Sequence, residues 1–190
     1  MVKNIINKSE YAEIVPAYIR NNKQYYHLNI NPQEIVDSDM YVVLSHTYDH
    51  YPTQEDKDKL YADYLALCKK VKLAEVEKYD NSKNVNAFYV NGQFMWKNKY
   101  DRDNLTGSIN AELIEGATYT TLWADPIKGI KFVLPCEDAL QMLRKVELYA
   151  KACFNRTAEH KYNITQLVTI EEVESYDYTT GYPEQARFEV

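Results

Sequence analysis

Val85-Asn86-Ala87-Phe88-Tyr89-Val90-Asn91-Gly92-Gln93-Phe94-Met95-Trp96 is the stretch that decides the fold. Val85, Ala87 and Tyr89 alternate with Asn86, Phe88 and Val90, and a period of two describes a strand with two distinct faces. Asn91-Gly92 tolerates positive φ at both central positions of a type I′ turn, whose twist matches that of paired strands. Gln93 to Trp96 then returns as the second strand of a hairpin.

Downstream, Asp101 is placed to open a helix by accepting backbone N–H bonds. Leu105, Ile109 and Leu113 form its buried stripe, and Gly116 stands where a helix ends. Tyr119 to Trp123 and Ile130 to Leu134 read as strands around the turn Asp125-Pro126-Ile127-Lys128-Gly129. Pro135 suits a first helical turn, where a missing N–H costs nothing. Leu140, Leu143, Val146, Ala150 and Phe154 predict a helical stripe of about four turns. The expectation is an α+β domain over 84–190, a four-stranded antiparallel meander with helices packed on one face.

Upstream, Tyr11 to Val15 precedes Pro16, which signals an edge strand or a break. Arg20-Asn21-Asn22-Lys23 reads as a turn, Gln24 to Ile30 as a strand broken by Asn31-Pro32, and Met40 to Ser45 as another strand after the turn Asp37-Ser38-Asp39. Residues 1–52 thus form a small β-rich region, too short to bury a sufficient core alone. A helical connector over 53–80 follows. Thr53 and Asp56 make a weak capping box, and Leu60, Tyr64, Leu67 and Val71 share one face. The helix is open to three uses: packing on its own domain, spacing two modules, or self-association. After the long C-terminal helix, Ile164, Leu167 and Val168 begin a short helical pattern that Thr169 and Glu172 cap. The tail turns at Gly181-Tyr182-Pro183 and ends extended.

Phe88-Tyr89-Val90-Asn91-Gly92 leading to Trp96, Asp101-Arg102 opening a helix, and Tyr119-Thr120-Thr121-Leu122-Trp123 before a strand and a long helix together resemble an uncharacterised domain family. That family is found mainly in bacteriophage and prophage tail-fibre-related proteins. Tyr176-Asp177-Tyr178-Thr179-Thr180-Gly181-Tyr182-Pro183 is similar to the way such relatives end. The resemblance covers roughly 84–190. It implies a non-enzymatic tail or tail-fibre component or assembly factor, in the virion or in the host cytoplasm during assembly. Other phage structural proteins, or copies of itself, would be its partners. The family brings no catalytic residues to carry over.

Bulk properties narrow the function classes. The 190 residues carry a formal charge of −6 and are 45% hydrophobic, which allows a core but repels phosphate backbones, so nucleic acid is not an expected partner. No run of about 18 apolar residues predicts a membrane span, and the first eight residues lack the apolar region of a secretion signal. Three cysteines, Cys68, Cys136 and Cys153, cannot close a disulfide set within one chain and read as free buried thiols. Eighteen tyrosines fit a binding surface or a simple codon bias.

No pattern predicts an enzyme, a metal or a cofactor. His46 and His50 lie about 13 Å apart if the strand continues, too far for one metal. Cys136 opens a helix, but Glu137 and Asp138 oppose a thiolate, and His160 lies too far along the same helix to act as its base. Glu55-Asp56-Asp58 and Glu171-Glu172-Glu174 sit at helix starts, where acids complement the dipole. The candidate interaction residues are Trp96, Arg102 and Trp123. The tryptophans either face the core or form an exposed platform on which a glycan stacks. Arg102 either reaches a carboxylate, contacts a neighbouring subunit or is solvated.

Overall fold

The chain folds as α+β. In chain order the elements are β1 (Val2–Asn7), β2 (Ile14–Arg20), β3 (Lys23–Glu34), β4 (Met40–Tyr48), α1 (Gln54–Asp80), β5 (Ala87–Val90), β6 (Gln93–Trp96), α2 (Lys99–Ile114), β7 (Tyr119–Asp125), β8 (Ile130–Pro135), α3 (Cys136–Gln166), α4 (Ile170–Ser175) and β9 (Arg187–Phe188). The computed structural model describes residues 2–96 and 99–190, excluding the side chains of Val2 and Trp96. The chain divides into two compact units, Met1–Val71 with Val168–Ser175, and Lys72–Leu167 with Tyr176–Val190.

In the first unit an antiparallel sheet has the order β1-β4-β3-β2. Pro16 sits in edge strand β2, beside a register shift, where a missing N–H breaks no central ladder. Asn21 and Asn22 both have positive φ, the geometry of a two-residue I′ hairpin. Asn31-Pro32 does not end β3. Asn31 takes a φ of 53°, the register shifts between Ile30 and Gln33, and the bulge lets the strand run on to Glu34. Strand β1 lies in a segment that carried no strand expectation. Leu28, Ile30 and Leu44 pack against Leu60 of α1 and Ile170 of α4, so the small sheet completes its core with helices from elsewhere in the chain. The buried face of α1 here is Leu60, Tyr61, Tyr64, Leu65 and Cys68, whereas Leu67 and Val71 are exposed.

The second unit corrects the expected four-stranded meander. Hairpin β5–β6 continues into β9, giving the order β6-β5-β9, and hairpin β7–β8 is a separate ribbon. The 16-residue helix α2 separates the hairpins. Among the described residues β6 and β7 form no ladder, while the other edge of β5 is taken by β9 in parallel. Asn91 and Gly92 have φ of 47° and 74°, which realises the expected I′ turn. At the end of α2, Gly116 N–H donates to Leu113 O (3.0 Å) and Ala117 N–H to Glu112 O (2.9 Å), the paired bonds of a Schellman motif. Helix α2 begins at Lys99, so Asp101 lies in its first turn. Pro135 ends β8 with extended ψ, and α3 starts one residue later. Phe88, Val90, Met95, Ile109, Leu122 and Leu134 pack on Leu140, Leu143 and Val146 of α3. Each such buried aliphatic side chain contributes about 1.5–3 kcal/mol.

Candidate interaction surface

The β7–β8 ribbon has one dry face and one wet face. Its cross-strand pairs are Tyr119 with Pro135, Thr120 with Leu134, Thr121 with Val133, Leu122 with Phe132 and Trp123 with Lys131. Alternation sends Thr120, Leu122 and Leu134 into the core and leaves the other pairs outside. Tyr119 is 62% exposed, Trp123 43% and Val133 61%. Trp123 is therefore exposed rather than part of the core, with the Lys131 ammonium 5.3 Å from its ring centroid. The connecting turn is held by Asp125, whose Oδ1 accepts from the Ile127 and Lys128 amides at 3.1 and 3.2 Å. The Lys128 amide and ammonium hold the Asp125 carboxyl below its usual range, and Ile127 projects from the apex.

Arg102 does not join that surface. It is only 7% exposed, and its Nε donates to Glu147 Oε2 of α3 at 3.0 Å. It therefore reaches a carboxylate of its own unit. With Lys99, Lys151, Asp80 and Phe154 it lines a cleft of about 550 Å³ of mixed charge. The side chain of Trp96 lies outside the described residues.

Residues that sequence reasoning set aside form a buried polar cluster. Helix α3 continues unbroken to Gln166, and Cys153, Thr157, His160 and Ile164 extend its buried stripe. That spacing was the available signal, but the polar run 155–163 concealed it, and the exposed Phe154 stood in its place. His160 is 1% exposed. Its Nδ1 meets the Tyr176 hydroxyl and its Nε2 the Thr180 carbonyl, each at 2.9 Å. Arg156 Nε donates to the same carbonyl at 3.0 Å. Thr157 Oγ1 donates to Asp80 Oδ1 at 2.7 Å, so the Tyr182 hydroxyl, 3.0 Å away, donates to Thr157. The tyrosine-rich tail thus clasps α3, and burial raises the Tyr182 pKa. These bonds tie the tail to α3.

The remaining candidates resolve similarly. Asp56 accepts from Thr53 N at 2.7 Å, and Thr53 Oγ1 accepts from Asp56 N at 3.3 Å, a closed capping box. The Thr53 amide and hydroxyl both donate to the Asp56 carboxylate and, with His50, lower its pKa to about 2. Glu172 caps α4 through the Val168 and Thr169 amides, while Glu171 accepts from Asn31 and Gln33. His50 bonds to Asp49 and Asp56, and its pKa is raised by both carboxylates. His46 stays on β4. Among the described residues no group of three or more His, Cys, Asp or Glu is placed to hold a metal. Burial raises the Cys136 thiol, and a thiol so placed at the helix start is a poor nucleophile.

No helix among the described residues is long and apolar enough to cross a membrane. No curated protein and no solved structure matches the chain. A family model does match, from Cys68 through both hairpins, α2 and α3 to Thr180 in the tail clasp. Because that match, residues 68–180, spans more than half of the chain, the protein belongs to the family described as Domain of unknown function (DUF4376).

Proposed function

We propose that the protein is a non-enzymatic bacteriophage or prophage structural protein. It serves as a tail or tail-fibre-associated component or assembly factor and acts through contacts with other phage structural proteins. The observation that carries this reading is the outer face of the β7–β8 ribbon, where Tyr119, Trp123 and Val133 stand exposed over a filled core. Tyrosine and tryptophan dominate protein interfaces because they bury large area at low entropic cost. The similarity of the 88–96, 119–123 and 176–183 motifs to tail-fibre-related proteins supplies the phage context.

The test is quantitative mass spectrometry of particles purified from cells encoding the protein, compared with the infected-cell lysate. A fixed small number of copies per particle is the result expected of a virion part. Co-sedimentation with tail intermediates alone is the result expected of an assembly factor. Absence from both overturns the proposal.

A second reading rests on Trp123 itself. An exposed indole on a rigid strand suits stacking against a sugar ring, which makes a glycan- or receptor-binding accessory module the alternative. Tryptophan emission of the wild type and of Trp123→Phe, titrated with host surface glycans, separates the two. A shift lost in the variant supports this reading, and no shift with any glycan removes it.

A further inference from the structure

A groove of about 460 Å³ in the second unit is lined by residues of β8, α3 and β9 and the tail, and it shares Val133 with the ribbon's outer face. Residues 133–135 and residues 187–190 line it, together with Asp138, Gln141, Met142 and Lys145 of α3. Side chains alternate between the faces of a strand, so a groove touched by consecutive residues of two strands runs along their edges.

The ladders fix which main-chain groups face it. Cys136 N–H donates to Thr118 O at 3.0 Å, so 118 and 136 are a hydrogen-bonded pair. Alternation then makes 120/134 and 122/132 the bonded pairs and turns the main chain of Val133 and Pro135 away from β7. Along β9, Tyr89 and Asn91 amides donate to the Ala186 and Phe188 carbonyls at 2.9 and 2.8 Å. The main chain of Arg187 and Glu189 therefore points away from β5. Among the described residues, no strand pairs with either outward edge.

We propose that this groove accepts an extended segment of a separate partner protein, which inserts as a strand between β8 and β9 and joins the two sheets. Only an extended backbone offers donors and acceptors to both sides at the strand repeat. The lining also describes the segment. Val133, Pro135 and Val190 offer exposed apolar contacts, and Asp138 and Glu189 balance Lys145 and Arg187 in charge. The inserted part is thus uncharged and apolar at alternate positions, about four residues or 13 Å long. This holds for any partner protein and does not depend on the virion reading.

The experiment pans a displayed library of random twelve-residue peptides against the full chain. The tightest sequence is then made with a fluorophore and titrated. Val133→Pro and Glu189→Pro each remove one outward N–H and no ladder bond, and each is expected to weaken binding at least tenfold. Glu189→Pro lies in the tail and keeps the test open if Val133→Pro fails to fold. N-methylation at each central residue of the peptide is expected to weaken binding, because an inserted strand bonds on both sides. Sensitivity at alternate residues only would mean addition to one edge and would overturn the proposal. So would the absence of any enriched peptide, or binding indifferent to both proline variants. A dimer in sedimentation that the same variants dissociate would place a second copy in the groove and overturn a separate partner.

Discussion

His160 Nε2 lies 2.9 Å from the carbonyl oxygen of Thr180, and this one contact fixes the tautomer. A carbonyl only accepts, so Nε2 carries the proton and Nδ1 accepts from the Tyr176 hydroxyl. The ring thereby ties two residues of the tail to α3. His160→Ala removes a filled volume and both bonds, at a cost of about 2–4 kcal/mol. Amide hydrogen exchange over residues 176–183 is expected to accelerate strongly, with little change in β1–β4. Unaltered protection of the tail would contradict the clasp.

Gly181 has a φ of 75°, and a Cβ there would meet the guanidinium of Arg156. Gly181→Ala is therefore strained twice. The left-handed backbone costs about 1–2 kcal/mol, and Arg156 must leave its bond to Thr180. Arg156→Ala removes the second penalty but not the first. In a denaturation cycle the double variant is expected to lose less stability than the sum of the single variants. Strict additivity would mean that Arg156 moves aside freely.

The sequence announced what is local and concealed what is not. The I′ turn at Asn91-Gly92, the caps at Thr53 and Thr169 and the end of α2 at Gly116 all follow from residue chemistry within a few positions. The partner of β5 is β9, almost a hundred residues on, and no periodicity in a two-residue strand marks it. The meander expectation failed there because two well-formed hairpins say nothing about whether their edges meet. Trp123 was ambiguous because alternation gives two faces without saying which is covered. Arg102 was open to three readings because the carboxylate it reaches comes from α3, 45 positions away.

Asp56 and His50 couple the start of α1 to pH. The Asp56 pKa falls to about 2 through its bonds to Thr53, with His50 adding to the effect. A carboxyl with a lowered folded pKa stabilises above its unfolded value and loses that contribution as pH falls from about 4 towards 2. The difference in melting temperature between wild type and Asp56→Asn is expected to be constant near pH 5 and to close at the acid end. His50 runs the other way. Its raised pKa gives stability below the ordinary imidazole value that disappears as pH rises through the folded value. His50→Ala should therefore differ from wild type at pH 6 and match it at pH 9. A wild-type curve parallel to both variants at all pH values would refute the coupling.

The three cysteines should react in two classes. Cys136 and Cys153 are buried, and Cys68 is partly exposed. Burial raises all three thiols, which reduces the thiolate available to an electrophile at neutral pH. Cys68 also lies near Tyr64 and has its Sγ 3.9 Å from Glu174. In native protein a water-soluble aromatic disulfide reagent is expected to titrate one thiol, more slowly than a free cysteine. The other two should appear only with unfolding of the second unit. Cys68→Ser should abolish the native reaction and leave the two slow thiols unchanged. Three fast thiols would mean that the start of α3, where Cys136 sits, and the Cys153 position against the Val85 carbonyl open readily, and the tail would then be expected to exchange quickly as well.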